Sequence, residues 1–152
     1  MAEIASGAIS SKGVMFYRWQ TDSSPASWQQ ISEIKGAGGP NKTKDTHEVT
    51  HFNSPDGYKE FIGGFKDGGS VPLTMSFNRT YFDYLNADFE GSTNGNYKIV
   101  LPDSVSTTIE FEGLVTELQT NAQVGDAVMA DCTIKVSGKP EVYDGSSGSP
   151  VT

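Results

Sequence analysis

The sequence has a single cysteine and no long hydrophobic run, and each scarcity excludes a class of protein. Cys132 has no second cysteine to pair with, so an internal disulfide cannot form and the fold cannot depend on an oxidising compartment. No segment has the apolar length of a membrane-spanning helix, and residues 1–12 lack the basic start and apolar centre of a secretory signal. We therefore expect folding in the cytosol and no membrane insertion.

Basic residues are also scarce. Eleven Lys and Arg stand against nineteen Asp and Glu, which gives a net charge of -8. A protein that binds nucleic acid needs clustered cations to neutralise phosphates, and the closest pair in the sequence, Lys42 and Lys44, is too small to follow a nucleic-acid backbone. The sequence therefore predicts no specific DNA binding, and the lysine pair is interpreted as part of a solvated loop.

Catalytic and metal-binding motifs are missing as well. The sequence contains no CxxC, no HExxH and no Ser-His-Asp set with an elbow context. His47 and His51 are four residues apart but offer no further ligands nearby, and Asp83 and Asp88 are too far apart to share one helical face. The glycine-rich residues 36–40 lack the GK[ST] ending of a phosphate-binding loop. We expect a protein without enzymatic activity, metal or cofactor.

Glycine and aromatic residues are abundant instead. Seventeen glycines, six tyrosines and eight phenylalanines in 152 residues favour short strands joined by turns over a helical bundle. The length fits one domain, which we place at residues 1–136. Residues 137–152 are rich in Gly, Ser and Pro and are predicted to form a C-terminal tail.

Alternating apolar residues predict a mainly β protein. The predicted strands cover residues 14–19, 28–34, 46–52, 71–77, 97–101, 107–118 and 127–136. Pro72 predicts that the strand at 71–77 starts at an edge of the sheet. The alternation from Val128 to Val136 places Cys132 in the core, as an inert thiol. In the strand at 107–118, alternation predicts an outward face that carries Glu110, Glu112, Leu114 and Leu118.

Two helical segments are predicted. Residues 80–90 have a helical apolar stripe, with Thr80 as the N-terminal cap and Gly91 as the stop. Ser54 and Pro55 have the chemistry of a helix start, which predicts one helical turn that carries Tyr58, Phe61 and Ile62 and ends at Gly63 and Gly64.

The segment before that turn predicts a long extended arm. Residues 36–45, GAGGPNKTKD, contain no apolar residue larger than alanine and are predicted to form an exposed loop. The strand predicted at 46–52 would then project beyond the body of the domain.

The order of these segments resembles that of the major tail tube proteins of lambda-like, long, non-contractile-tailed phages. The resemblance covers residues from about 13 to 136. It rests on a WxxIxEI strand at 28–34, the Gly-Pro loop at 38–40, VTxFxSPDGYKEFI at 49–62, KDGGxV at 66–71 and a strand that ends at Phe77-Asn78.

The resemblance implies a β-sandwich or barrel-like domain with one flanking helix. It implies a structural virion protein that self-assembles into stacked hexameric rings, forming the hollow tail tube through which DNA is ejected without specific binding. The expected partners are other copies of the chain, a tape-measure protein, and tail tip or initiator and terminator proteins. The expected locations are the virion tail and, during assembly, the host cytoplasm.

The resemblance also suggests roles for individual residues. The arm would make the contact between rings and would become ordered only on stacking. Leu114 and Leu118 are expected at subunit interfaces, and Glu110, Glu112 and Asp131 are expected to supply negative charge to the lumen. The expected arm residues are Gly38, Gly39, Pro40, Asn41, Lys42, His47, Val49 and Phe52.

Two alternatives stay open from the sequence. One is a tube subunit of a contractile injection or secretion system, which would share the fold and ring symmetry. The other is a small β-sandwich binding module such as a carbohydrate-recognition domain, in which exposed Trp19, Trp28 or tyrosines would supply stacking surfaces. Some lambda-like tube proteins carry an additional immunoglobulin-like domain, and the short tail at 137–152 predicts that this module is absent.

Overall fold

A computed structural model describes residues 8–9, 12–21, 24–31 and 34–145 of the chain. It contains a seven-stranded antiparallel sheet, a separate two-stranded sheet and one α-helix, α1. The large sheet has the strand order β2-β1-β7-β8-β9-β6-β3, and β4 pairs with β5. The elements are β1 Met15–Gln20, β2 Ser27–Ile31, β3 Ile34–Ala37, β4 Thr43–Glu48, β5 Phe61–Asp67, β6 Ser70–Ser76, α1 Arg79–Glu90, β7 Gly95–Val100, β8 Thr108–Asn121 and β9 Met129–Tyr143.

The two longest strands, β8 and β9, give the sheet its curvature. Their pairing shifts register between Glu110 and Glu112 and again between Val115 and Glu117, and such bulges bend a strand and increase its twist. Side chains from six strands and from Leu85 of α1 join in one buried cluster, and Ile34 of β3 packs against it. The predicted mainly β, sandwich or barrel-like fold with one flanking helix is confirmed.

The predicted alternation of β6 and β9 is confirmed along most of both strands. Val71, Leu73 and Met75 are buried on β6, and Cys132 is buried among alternating core residues of β9. Phe77, the last residue of the strand predicted at 71–77, follows the end of β6 and is partly exposed. Val128 likewise precedes β9 and is exposed.

Helix α1 contacts β8 of the large sheet and contributes Leu85 to the core. Its N-terminal cap is Asn78, whose side-chain oxygen accepts hydrogen bonds from the backbone N–H groups of Thr80 and Tyr81. The predicted cap, Thr80, lies one residue inside the helix, so that prediction is wrong. The stop at Gly91 is confirmed, and the Gly91 N–H donates to the Ala87 carbonyl at 3.0 Å.

The segment predicted as one strand at residues 28–34 forms parts of two strands. β2 pairs with β1 at one edge of the sheet, whereas β3 pairs with β6 at the other edge. Ile31 and Ile34 are three residues apart, a spacing that the two-residue alternation of one strand cannot bring to the same face. β3 pairs with β6 only from Leu73 to Met75, so Pro72, near the start of β6, has a strand partner only in β9, which agrees with the predicted edge position of the start of this strand.

Two further boundaries differ from the predictions. The turn at Pro55–Gly57 is a 3-10 turn of three residues, and Phe61 and Ile62 belong to β5 because this strand pairs with β4. The predicted tail from residue 137 begins too early, since β9 runs to Tyr143 beside β8. Residues 146–152 of that tail lie outside the described residues.

Candidate assembly surfaces

Strands β4 and β5 form a hairpin-like arm that belongs to neither edge of the large sheet. In their register Thr46 lies opposite Gly63 and Glu48 lies opposite Phe61. The extended arm predicted from the sequence is therefore present with different bounds. The loop at its start is shortened to 38–42, and the projecting strand is β4 rather than 46–52. The arm is paired within a single chain, whereas the family resemblance implied that it becomes ordered only on stacking.

The loop between β4 and β5 is held by polar contacts across its base. The Val49 N–H donates to the Glu60 carbonyl at 2.8 Å, and the Glu60 N–H donates to the Thr50 hydroxyl at 2.9 Å. The Ser54 hydroxyl donates to the Glu60 carboxylate and accepts from the His51 N–H. Ser54 was predicted to cap a helix, and its side chain instead closes this loop.

The arm carries an unusual number of exposed apolar side chains. Phe52 is fully exposed and Phe65 is 88% exposed. Tyr58, Phe61 and Ile62 are also more than half exposed. Burying a side chain of this size typically stabilises a protein by about 1.5–3 kcal/mol, and contiguous exposed apolar surface marks an interaction site. The arm is therefore the best candidate for contact with another chain.

The root of the arm is fixed by a close approach of two backbone segments. Gly69, in the turn between β5 and β6, has a φ of +76°, and a Cβ atom there would lie 2.0 Å from the Asn41 carbonyl oxygen. The Gly38 N–H donates to the Pro72 carbonyl at 3.0 Å. Loop 38–42 is thereby anchored to the large sheet, which sets the direction in which the arm leaves the domain.

A groove separates the arm from β9, and lysines dominate its lining. Asp67 accepts hydrogen bonds from the Lys135 ammonium at 2.8 Å and from the Gly69 N–H at 2.7 Å. Both hydrogen bonds lower the pKa of Asp67, and the bond from Lys135 has the larger effect. This cluster could not be predicted from the sequence, because its lysines come from three separate segments of the chain. The five lysines of the lining are Lys42, Lys44, Lys66, Lys135 and Lys139.

The face of the large sheet opposite α1, here called the outer face, holds the predicted interface and lumen residues only in part. Leu114 is exposed there. Leu118 packs against the core, because the register shift after Val115 reverses the alternation. The prediction that Leu118 faces outward is wrong.

The three residues predicted to supply lumen charge also lie in different environments. Glu110 is 2% exposed and accepts a hydrogen bond from the Tyr143 hydroxyl at 2.6 Å, so the prediction that it faces solvent is wrong. Glu112 and Asp131 are half-buried on the outer face and accept from the Asn94 amide and the Thr74 hydroxyl respectively. These two carboxylates are available to shape the charge of that face.

The two tryptophans contact other side chains of the same chain. Their rings lie 5.3 Å apart in an edge-to-face arrangement between β1 and β2. The ammonium of the buried Lys98 lies 4.4 Å from the Trp28 ring centroid and 4.9 Å from that of Tyr17, which are distances for cation-π attraction. Burial lowers the pKa of Lys98, and nearby Glu110 opposes that change. Trp28 is thus engaged internally, which disfavours its use as a ligand-stacking surface.

The described ranges lack both a membrane-spanning helix and a cluster of metal ligands. No helix there has the length and apolar character to span a membrane. In the same part of the chain, no three His, Cys, Asp or Glu side chains converge as a metal site would require.

Comparison with known proteins gives both a family and a fold. The family model described as "Lambda phage tail tube protein, TTP" matches residues 15–143. No curated protein sequence matches significantly.

Solved structures with a similar fold come from several tailed particles. The tail of an empty gene transfer agent particle, refined with C6 symmetry, aligns with a TM-score of 0.74 at 14% identity, covering 90% of this chain and 99% of that one. The SPP1 tail tube aligns with 0.68 at 12% identity, covering 91% and 80%. The baseplate of the anti-feeding prophage aligns with 0.67 at 14% identity, covering 93% and 98%. At these identities the likeness shows the fold alone.

Proposed function

The chain belongs to the lambda phage tail tube protein family, and we propose that its copies form stacked hexameric rings around the channel through which DNA is ejected. It is a structural tube subunit of a phage tail. The matched segment covers every strand and the helix of the described residues. The fold is also that of subunits in contractile injection particles, but the family match favours the phage tube over that alternative.

The exposed apolar arm is the observation that carries the proposal. In an isolated subunit Phe52 and Phe65 stay exposed to water, so the free energy that their burial would supply is not gained. Stacking would cover them. We assign the contact between rings to the arm and its root, which include Gly38, Gly39, Pro40, Asn41, Lys42, His47, Val49 and Phe52, and we place Leu114 at a contact within the ring.

The net charge supports the proposed passage of DNA. Six copies at -8 each give -48 per ring, and a lumen with part of this charge would repel phosphates. Glu112 and Asp131 are the candidates for this lumen charge, since both lie on the outer face. Such a wall would let duplex DNA pass without adhering.

The remaining assignments follow from the tube role. We propose that the subunit performs no reaction and assembles in the host cytoplasm. Its other partners would be a tape-measure protein, tail tip or initiator proteins and a terminator. A chain with the same fold is present in a solved structure of the tube-terminating cap of the anti-feeding prophage.

A paired substitution tests the arm. Phe52→Ser with Phe65→Ser should abolish or strongly reduce tube formation, because it removes apolar surface that is buried only on stacking. Val105→Ser is the matched control, since Val105 is also exposed but lies in the β7–β8 loop. Sedimentation and electron microscopy measure the tubes, and circular dichroism checks the fold. Normal tubes from the double variant would contradict the role of the arm.

A further inference from the structure

The groove between the arm and β9 concentrates positive charge on an acidic protein. Its lining holds five of the eleven basic side chains and only two of the nineteen acidic ones, Asp45 and Asp67. The groove therefore carries +3, and the rest of the chain, with six basic and seventeen acidic residues, carries -11. Positive charge is therefore concentrated in the groove, so the groove can attract anionic groups that the rest of the molecule repels.

The positions of the groove lysines favour the binding of an anion between them. Lys44 and Lys66 occupy directly opposite positions in the β4–β5 register, and like charges at such positions destabilise a strand pair. Lys135 and Lys139 have carboxylate partners, Asp67 at 2.8 Å and Glu141 at 3.7 Å. Among the described residues, no ion pair involves Lys42, Lys44 or Lys66. A carboxylate from outside the chain would relieve this repulsion.

One segment of the chain has the complementary chemistry. The end of the β8–β9 hairpin, residues 117–128, has no basic residue; Glu117 lies in β8 opposite Thr133, and Asp126 lies in the loop 122–128 that forms the tip. Val124 at the tip is fully exposed. An acidic tip with an exposed apolar residue matches a basic groove whose wall includes the exposed Phe65.

The tip cannot reach the groove of its own chain. Val136, in the groove lining, lies seven residues beyond Met129 along the extended strand β9, and a strand rises about 3.3 Å per residue. The tip and the groove are thus held roughly 20 Å apart. The occupant must come from a second copy.

We propose that the groove binds the acidic tip of the β8–β9 hairpin of a neighbouring subunit, with Asp126 between Lys44 and Lys66. This inference rests on the proposed function, because it names a contact within the assembled tube. The contact is heterologous, since groove and tip are different surfaces, and such contacts build rings or stacks. Duplex DNA is a weaker candidate, because the surrounding charge of -11 repels it.

Charge reversal tests the contact in the full-length chain. K44E/K66E and, separately, D126K should raise the critical concentration for assembly by about tenfold or more, because each places like charges together. The triple variant K44E/K66E/D126K should return to within about threefold of wild type, since the pair is restored in reverse. K35E is the matched control, as Lys35 is exposed on β3 outside the groove, and it should assemble like wild type.

A second measurement separates this inference from the tube role. A synthetic peptide of residues 117–128, titrated onto the unassembled chain at low salt, should bind wild type and K35E at least about tenfold more tightly than K44E/K66E. If the wild-type chain forms tubes but neither binds the peptide nor shows the charge-swap rescue, the groove contact alone is overturned. Peptide binding without tubes would overturn the tube role alone. Duplex DNA binding that K44E/K66E abolishes, with assembly unchanged, would assign the groove to nucleic acid and overturn the proposal.

Discussion

The Arg18 guanidinium and the Asp88 carboxylate form a two-point ion pair between strand β1 and helix α1. The Nη2–Oδ1 distance is 2.6 Å and the Nε–Oδ2 distance is 3.0 Å. Both side chains are more than four-fifths buried, and the Tyr97 hydroxyl donates to the same carboxylate at 3.0 Å. This arrangement fixes α1 over the sheet with directional bonds as well as apolar contact.

Replacing Asp88 tests the importance of this ion pair. Asp88→Ala leaves Arg18 as a largely buried charge without its partner, and we expect a loss of about 3 kcal/mol in the free energy of unfolding. Asp83→Ala is the control, because its pair with Arg79 on the same helix is exposed, and it should cost less than about 0.5 kcal/mol. Urea denaturation measures both. Equal losses for the two variants would show that the buried pair has no special role.

The helix cap gives a second comparison. Asn78→Ala removes the oxygen that accepts from two backbone N–H groups and should destabilise the protein by about 1 kcal/mol. Thr80→Ala should change stability by less than about 0.5 kcal/mol, since Thr80 is inside the helix and alanine is a good helix former. Thermal unfolding of the two variants decides between them. A larger loss from Thr80→Ala would restore the cap predicted from the sequence.

The buried thiol predicts weakness at alkaline pH. Burial raises the pKa of Cys132 from 9.0 to about 12. Folding thus favours the protonated thiol, so its contribution is complete below pH 9 and is lost as pH rises from 9 towards 12. Between pH 8 and 10.5 this amounts to about 2 kcal/mol.

A variant without the thiol isolates that contribution. Cys132→Ala should be less stable than wild type at pH 8 because of the cavity, but its stability should fall less steeply up to pH 10.5. Chemical denaturation at both pH values supplies the comparison. Parallel pH profiles for the two proteins would contradict this prediction, because they would mean that the Cys132 thiol has the same pKa in the folded and unfolded states.

The lumen charge can be tested in the assembled particle. Glu112→Lys with Asp131→Lys should slow DNA ejection, because cations on the channel wall bind phosphates. Tubes should still form, since neither carboxylate belongs to the proposed arm or groove. Glu90→Lys, at the exposed end of α1, serves as the single-charge control. Unchanged ejection from particles with the double variant would refute the assignment of these two residues to the lumen.

Local pattern was sufficient to predict much of the fold. Alternation along β6 and β9 leaves one choice for the inward face of each strand, and the apolar stripe does the same for α1. The core positions Leu73, Ile134 and Leu85 could therefore be predicted. The family resemblance correctly indicated the architecture. The segment at 28–34 could not be resolved in the same way, because its three-residue spacing is satisfied by two strands on opposite edges of the sheet.

The candidate surfaces depend on long-range contacts that a sequence does not display. Lys42 and Lys139 are remote in sequence and meet at one groove only because β5 returns the arm beside β9. Leu118 and Glu110 were assigned to the exposed side from ideal alternation, but a register shift turns Leu118 towards the core, and Glu110 is buried where it accepts a hydrogen bond from the Tyr143 hydroxyl. Burial of such residues follows from register, which no local rule predicts.

Electron microscopy of the purified full-length chain, over a range of concentrations, tests the central claim most directly. The account predicts hollow tubes built of six-fold rings, which the Phe52→Ser and Phe65→Ser double variant fails to form. A chain that stays monomeric at every concentration, and also when mixed with its tape-measure and initiator proteins, would contradict it.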